Sequence, residues 1–238
     1  LGHRVLLEDH VKVKDLRPDV VLFLVGLNDV ESSAMGWPRK KFTPPTQQFF
    51  KSLEPYSEVL HIAMNVLRER RVRDFTGDVD LDVRKVGVLE IPPETEQALM
   101  DRHAQEFLGL YHTRLTRLIT ISRRLGMEPV LVTQPALYGP VIDEATNVDL
   151  SVVPVDGLPG GVKWRILELY NQITRNVGTE QGVLVIELGR QLPKNSRYYY
   201  DWVHFTNEGA QLVADIINRD LCPWLSERYQ TFPGRNCN

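Results

Sequence analysis

The sequence lacks any long apolar run, since no stretch approaches the roughly 18 residues that a membrane-spanning helix needs. It also lacks a strong excess of one charge: 28 basic and 31 acidic side chains give a net charge of −3. Such a balance gives no general attraction to nucleic acids or anionic membranes. We therefore expect neither a nucleic-acid partner nor a membrane-spanning segment in this sequence.

Cysteine is scarce, with Cys222 and Cys237 both close to the end of the chain. A disulfide between them would indicate an oxidising compartment, and two separate thiols are the alternative. The sequence opens at Leu1 without a methionine or an apolar leader. We expect that the complete protein has further residues at its N-terminus.

The apolar pattern predicts strands that alternate with helices. Continuous apolar runs predict buried strands at 19–25, 129–133 and 182–186. Apolar residues at helical spacing predict helices over 94–125, 162–177 and 207–221. Gly126 and Gly178 are expected near the ends of the first two helices, Thr206 caps the third, and Pro223 follows its end. This alternation predicts an α/β fold with a doubly wound parallel sheet.

The 238 residues suit a single domain. Residues 31–93 exceed a normal connection, and we expect there an insertion of loops with a helix at about 56–72. A second long connection, over 134–161, follows a predicted strand. Long loops after strand C-termini are where doubly wound folds place substrate contacts.

The segment Gly26-Leu27-Asn28-Asp29 directly follows the first predicted strand. A glycine there permits a tight turn. The asparagine amide could then donate to the oxyanion of a tetrahedral intermediate. The alternative is that the Asn-Asp pair makes a turn or caps the next helix.

The segment Asp201-Trp202-Val203-His204 precedes the last predicted helix. Acyl transfer by a hydroxyl needs a histidine base and a carboxylate that fixes its tautomer, and this spacing can supply both. The alternative is an aspartate that caps the helix beside a histidine at its edge. The preceding tyrosines, 198–200, would line an acyl or sugar pocket or pack against the end of the sheet.

Together these segments resemble the SGNH (GDSL-like) hydrolase family. Residues 18–29 look like its third sequence block and residues 201–209 like its fifth. The resemblance covers residues 10–30 and 110–221. It implies a flavodoxin-like three-layer sandwich with strand order 2-1-3-4-5, in which the three predicted strands would be the third, fourth and fifth.

The resemblance also implies a role for individual residues. His204 would be the general base, Asp201 its orienter and Asn28 an oxyanion donor, with Gly26 shaping the turn and Gly2 as a second donor. The family's Gly-Asp-Ser block has no counterpart in the sequence. We therefore expect the nucleophilic serine, and the first two strands, upstream of Leu1 or on a separate chain. No cofactor or metal is implied.

The leading functional prediction is a serine hydrolase of carboxylic esters or O-acyl groups, acting on a small-molecule, carbohydrate or lipid ester. An O-acyltransferase with the same triad is an alternative. The missing serine block favours another, a non-catalytic module that binds a glycan or a protein. A nucleotide binder ranks last because no Gly-rich loop follows a predicted strand. Since many family members are exported, we expect an extracytoplasmic location.

Overall fold

The computed structural model describes residue 7, residues 18–34 and residues 81–229, with residues 31–34 described by their backbone alone. The chain divides into two compact units, one of Leu1–Met35 with Leu81–Asn238 and one of Gly36–Asp80. The second unit lies outside the described residues, and so does the helix predicted at 56–72. All of the described residues belong to the first unit.

The described part is a mixed α/β structure, as predicted. Its strands are β1 (Val20–Leu24), β2 (Glu128–Val132), β3 (Ile142–Asp143), β4 (Val148–Asp149), β5 (Pro154–Val155), β6 (Leu158–Pro159) and β7 (Val185–Ile186). Its helices are α1 (Leu27–Ala34), α2 (Pro93–Arg102), α3 (Leu108–Arg124), α4 (Gly160–Gln181), α5 (Leu188–Gln191) and α6 (Asn207–Arg228), with a 3-10 turn (Val83–Lys85) and a π segment (His103–Phe107). A parallel sheet has the order β1-β2-β7, and two short antiparallel hairpins, β3-β4 and β5-β6, lie in the 134–161 connection.

Strand β2 is the centre of this sheet, and its Val130, Leu131 and Val132 are at most 1% exposed. Strand β1 lies at one edge of the described sheet. Its Leu22 and Leu24 are 39% and 38% exposed, and they share one face because side chains alternate along a strand. The fully apolar sequence of β1 therefore leaves two leucines open to solvent.

The helix predicted over 94–125 is divided. The π segment separates α2 from α3, and its His103 is buried, with Nδ1 3.0 Å from the Tyr170 hydroxyl. The predicted end at Gly126 is confirmed. Gly126 has φ +81°, and the Met127 N–H donates to the Ser122 carbonyl in a Schellman-type turn.

The predicted end of the next helix near Gly178 is wrong, because α4 continues to Gln181 and stops at Gly182, which has φ +59°. Gly178 instead allows close packing against β7. A Cβ atom there would lie 2.1 Å from Cγ2 of Val185. The strand predicted at 182–186 is shorter. Gly182 is the C-cap of α4 and the Val183 N–H donates to the Gly178 carbonyl, so the strand starts only at Val185.

Helix α6 begins as predicted. The Gly209 N–H donates to Oγ1 of Thr206 at 3.0 Å, so Thr206 is the N-cap. The expectation that Pro223 lies beyond the helix is wrong. A proline removes one backbone hydrogen bond, yet the helix continues past it, and Arg228 in the last turn pairs with Glu128 of β2 at 3.2 Å.

Cys222 in α6 is disulfide-bonded. The other cysteine of the sequence, Cys237, lies outside the described residues. Among the helices that the structure describes, none combines the length and the apolar character needed to cross a membrane.

Candidate active site

At the carboxyl edge of the parallel sheet, the loop that follows β2 is hydrogen-bonded to helices α5 and α4. Oγ1 of Thr133 accepts from the Gly189 N–H at 3.0 Å. The buried side chain of Asn171 bonds the backbone of Gln134 twice, accepting from its N–H at 2.7 Å and donating to its carbonyl at 3.0 Å. In α/β sheets this edge is where ligands bind, and here its backbone is rigidly held.

Asp201 and His204 form a hydrogen-bonded pair, with Oδ2 of Asp201 2.7 Å from Nδ1 of His204. Oδ1 of Asp201 accepts from the N–H groups of Val203 and His204, at 2.8 and 2.7 Å. The spacing predicted from the sequence therefore does bring the carboxylate and the imidazole together. The carboxylate is 23% exposed and the imidazole 64%, and in the described chain nothing hydrogen-bonds Nε2.

The environment keeps Asp201 ionised at neutral pH. Burial by itself raises the pKa of this carboxyl group. The backbone N–H groups of Val203 and His204, together with the His204 side chain, outweigh burial and leave the pKa of Asp201 below its ordinary value. An ionised carboxylate at Nδ1 favours the tautomer with the proton on Nδ1, so the Nε2 lone pair is free to accept one.

The loop that carries the pair is fixed to the edge of the sheet. The Leu137 N–H, in the loop after β2, donates to the Trp202 carbonyl at 2.9 Å. The Asp143 carboxylate accepts from the N–H and hydroxyl of Ser196, at 3.0 and 2.7 Å. Both contacts tie the 134–161 connection to the segment that carries the histidine.

The turn after β1 leads directly into a helix. Gly26 has φ +137°, a conformation that side-chain-bearing residues rarely adopt, and its carbonyl accepts from the N–H groups of Asp29 and Val30, both at 3.0 Å. Asn28 lies in the first turn of α1 and is exposed. The Asn-Asp pair therefore lies at the start of a helix, close to the alternative that the sequence left open. The side chain of Asn28 is nonetheless exposed, so its amide can still bind a ligand.

Helix α3 holds this turn at two points. The Tyr111 hydroxyl donates to the Val25 carbonyl at 3.0 Å and lies 3.0 Å from Oγ1 of Thr174. One turn further along, Arg114 pairs with Asp29. Sequence reasoning missed both contacts, because nothing in the spacing of the residues links the first turns of α3 to the end of β1.

The two predicted segments border one loop. A Cβ atom on Gly26 would lie 3.9 Å from Cβ of Gln134, and three residues later Leu137 bonds Trp202, the neighbour of Asp201. The turn with Asn28 and the loop with His204 thus both adjoin residues 134–137. Gly2, the second predicted oxyanion donor, lies outside the described residues.

A partly buried lysine fixes the same loop from another side. Nζ of Lys194 donates to the Ala136 carbonyl at 2.8 Å and lies 3.2 Å from the ring centroid of Trp164. Burial lowers the pKa of Lys194 to about 7, against an opposing influence of Glu168. Gly139 makes room for the lysine stem, since a Cβ atom there would lie 2.8 Å from Cε.

The serines whose side chains the structure describes are bonded to other groups. Ser122 and Ser226 donate to helix carbonyls, Ser196 bonds Asp143, and Ser151 bonds the Asp149 side chain. None of these four bonds His204. A nucleophile for this histidine is therefore absent from these positions.

A second histidine–carboxylate pair differs from the first. Nε2 of His112 lies 2.7 Å from Oε2 of Glu180, with side chains 37% and 50% exposed. Among the described residues, no backbone N–H donates to this glutamate, whereas two donate to Asp201. Within residues 18–34 and 81–229, no group of three or more His, Cys, Asp or Glu side chains is placed to hold a metal ion.

Comparisons of the chain with protein-family models, with curated proteins and with solved structures give no match.

Proposed function

We propose that this protein is a serine-type hydrolase of carboxylic esters or O-acyl groups, with His204 as its general base and Asp201 as the residue that orients it. The observation that carries the proposal is the 2.7 Å bond between Asp201 and Nδ1 of His204, on a carboxylate already held by two backbone donors. Its position beside the carboxyl edge of a parallel sheet supports the assignment.

In the first half of the reaction, a serine hydroxyl attacks the acyl carbon while Nε2 of His204 takes the serine proton. The carbonyl oxygen becomes an oxyanion, and Asn28 is placed on an exposed helix turn from which its amide can donate to it. The imidazolium, stabilised by Asp201, then gives the proton to the leaving alkoxide. The C–O bond breaks, which leaves an acyl-enzyme and a free alcohol.

In the second half, water takes the place of the serine. Nε2 of His204 accepts a proton from the water as its oxygen attacks the acyl carbon, and then returns this proton to the serine oxygen. The products are a carboxylic acid and the regenerated enzyme, so one ester and one water give one acid and one alcohol. Both steps use the same Nδ1–H tautomer that Asp201 selects.

We place the nucleophilic serine outside the described residues, on a further strand beside β1. Two observations support this: the described serines are bonded elsewhere, and β1, an apolar strand with Leu22 and Leu24 exposed, lies at an edge of the described sheet. Exposed apolar edge strands are unfavourable in isolated sheets. Further strands beside β1 would give the SGNH strand order 2-1-3-4-5, of which β1, β2 and β7 supply the last three.

The test compares two histidines in the full-length protein, using hydrolysis of p-nitrophenyl acetate. His204→Ala is expected to lower kcat by about a thousandfold or more, because the base is lost while the fold persists. His112→Ala removes the other histidine–carboxylate pair and is the matched control, with activity expected within about twofold. Equal activities of the two variants would exclude His204 as the base.

A non-catalytic binding module is the second candidate, favoured by the engagement of every serine whose side chain is described. A fluorophosphonate probe separates the two. Labelling of one serine in the wild-type protein, and its loss in His204→Ala, supports the hydrolase. A folded full-length protein that takes no label supports the binding module.

A further inference from the structure

An exposed aromatic ring lies next to the proposed base. The ring of Tyr200 is stacked on the imidazole of His204, with centroids 5.6 Å apart and planes inclined by 9°. Tyr200 is 44% exposed. The two rings are nearly parallel but offset, so the phenol ring lies beside the imidazole and much of it is open to a ligand.

The backbone that carries this ring is held by two hydrogen bonds. The Tyr200 N–H donates to the His204 carbonyl at 3.1 Å, and the Tyr200 carbonyl accepts from the Leu81 N–H at 3.0 Å. The neighbouring Tyr199 behaves differently, since it is 3% exposed and packs on Phe205. Of these two tyrosines, one fills the core and the other presents a preformed flat surface, which lowers the entropic cost of binding a ligand.

The Tyr200 ring and the leaving alcohol would both adjoin the imidazole of His204. Asp201 occupies the Nδ1 side of the imidazole, so the proton leaves for the alkoxide from Nε2. An alcohol oxygen bonded to Nε2 would have its carbon skeleton within reach of the neighbouring Tyr200 ring. This favours the alcohol half of the ester as the half that meets Tyr200.

We propose that Tyr200 binds a pyranose ring, so that the substrates are O-acylated sugars; this rests on the function proposed above. An aromatic face is electron-rich and attracts the polarised C–H bonds on the flat face of a sugar. The base is 64% exposed, which leaves room for a large hydroxylated alcohol. An alkyl alcohol would need an enclosed apolar groove to gain comparable contact.

The experiment measures kcat/KM of the full-length protein for two acetates, methyl 2-O-acetyl-β-xylopyranoside and ethyl acetate. The readout is the ratio of the sugar ester to ethyl acetate, because ethanol is too small to cover the ring. Tyr200→Ala is expected to lower this ratio about three- to tenfold, mainly through KM for the sugar ester. Tyr200→Phe keeps the ring and is expected to retain the ratio within about twofold.

Tyr199→Phe is the matched control for loss of a neighbouring hydroxyl, and its ratio should equal that of the wild type. If the ratio is unchanged in Tyr200→Ala and hydrolysis still depends on His204, the proposal that Tyr200 binds a sugar is wrong, while the proposed esterase function is retained. An equal fall in Tyr200→Phe and Tyr200→Ala also overturns the proposed sugar binding, because the hydroxyl would then be responsible. Hydrolysis of neither ester by the wild type overturns both proposals.

Discussion

The Tyr111 hydroxyl donates to the Val25 carbonyl at 3.0 Å, between residues 86 positions apart. This bond fixes the last residue before the Gly26 turn, from which α1 starts and presents Asn28. The Arg114–Asp29 pair restrains the same turn from α3. The position of the proposed oxyanion donor therefore depends on a helix far away in sequence.

Removal of the Tyr111 hydroxyl should affect turnover more than substrate binding. Tyr111→Phe leaves the buried Val25 carbonyl without its donor, which costs about 1–3 kcal/mol of stability and loosens the turn. We expect kcat for p-nitrophenyl acetate to fall about tenfold, at a nearly constant KM, because oxyanion contacts act in the transition state.

Tyr170→Phe is the matched control for this change. It removes another buried hydroxyl, 3.0 Å from Nδ1 of His103, at comparable cost in stability, and it keeps the ring that packs on Tyr111. Its kcat should stay within about twofold of the wild type. Equal losses of kcat in the two variants would show that Tyr111 acts through general stability alone.

Acid should weaken the contact between Asp143, in the β3-β4 hairpin, and Ser196, in the segment that leads to Asp201 and His204. Burial raises the pKa of Asp143, but hydrogen bonds from Thr146, Ser196 and the Ala145 N–H outweigh it and leave this pKa below its ordinary value. A carboxyl group with a lowered folded pKa stabilises the protein above its unfolded pKa. This contribution is lost as the pH falls through the folded value.

The substitution that tests this is Asp143→Asn, studied by urea unfolding between pH 7 and pH 3. We expect a loss of about 1–3 kcal/mol at pH 7, which shrinks as the pH falls below about 4 because the wild type then loses its charge as well. Asp149→Asn, at an exposed carboxylate in the same hairpin, should cost less at pH 7. A difference for Asp143→Asn that is constant with pH would contradict this interpretation.

Two helical glycines should respond in opposite directions to alanine. Alanine ordinarily stabilises a helix by about 1 kcal/mol relative to glycine. Gly109 has open space around it, so Gly109→Ala should raise the midpoint of thermal unfolding. Gly178→Ala should lower it, because the new Cβ atom overlaps Cγ2 of Val185. If Gly178→Ala lowers the midpoint of Val185→Ala as much as it lowers that of the wild type, the steric cause is contradicted.

Lys194 should make stability rise on the alkaline side of neutrality. Its folded pKa of about 7 lies below the value of an unfolded lysine, so between about pH 7 and pH 10 the unfolded chain binds more protons. The free energy of unfolding of the wild type, measured relative to Lys194→Met, should therefore increase over this range. Urea titrations at pH 7, 8.5 and 10 check this, and a flat difference would argue for an ordinary lysine.

The local elements could be predicted from the sequence because their signals are local. Capping by Thr206 and the Gly126 turn follow from residue chemistry within one helical turn. The Asp201–His204 contact follows from a spacing of three positions. The predictions failed where tertiary packing decides, as at Gly178, whose packing against Val185 overrides its tendency to end a helix, and at Pro223, which α6 accommodates.

The support of the site could not be predicted for the same reason. Tyr111, Asn171 and Lys194 act on backbone groups at least 37 positions away, and no spacing rule links such residues. The exposure of Tyr200 was equally hidden, since three consecutive tyrosines carry no signal that tells a core ring from a surface ring. Such features depend on tertiary packing.

The assignment of the site requires that Asn28 and His204 serve one tetrahedral carbon. A crystal structure of the full-length protein, after reaction with a fluorophosphonate, provides the decisive test. We expect a phosphonylated serine whose Oγ lies about 3 Å from Nε2 of His204, with a phosphonyl oxygen about 3 Å from Nδ2 of Asn28. A phosphorus atom bound away from these two side chains, or on no serine at all, would contradict this assignment.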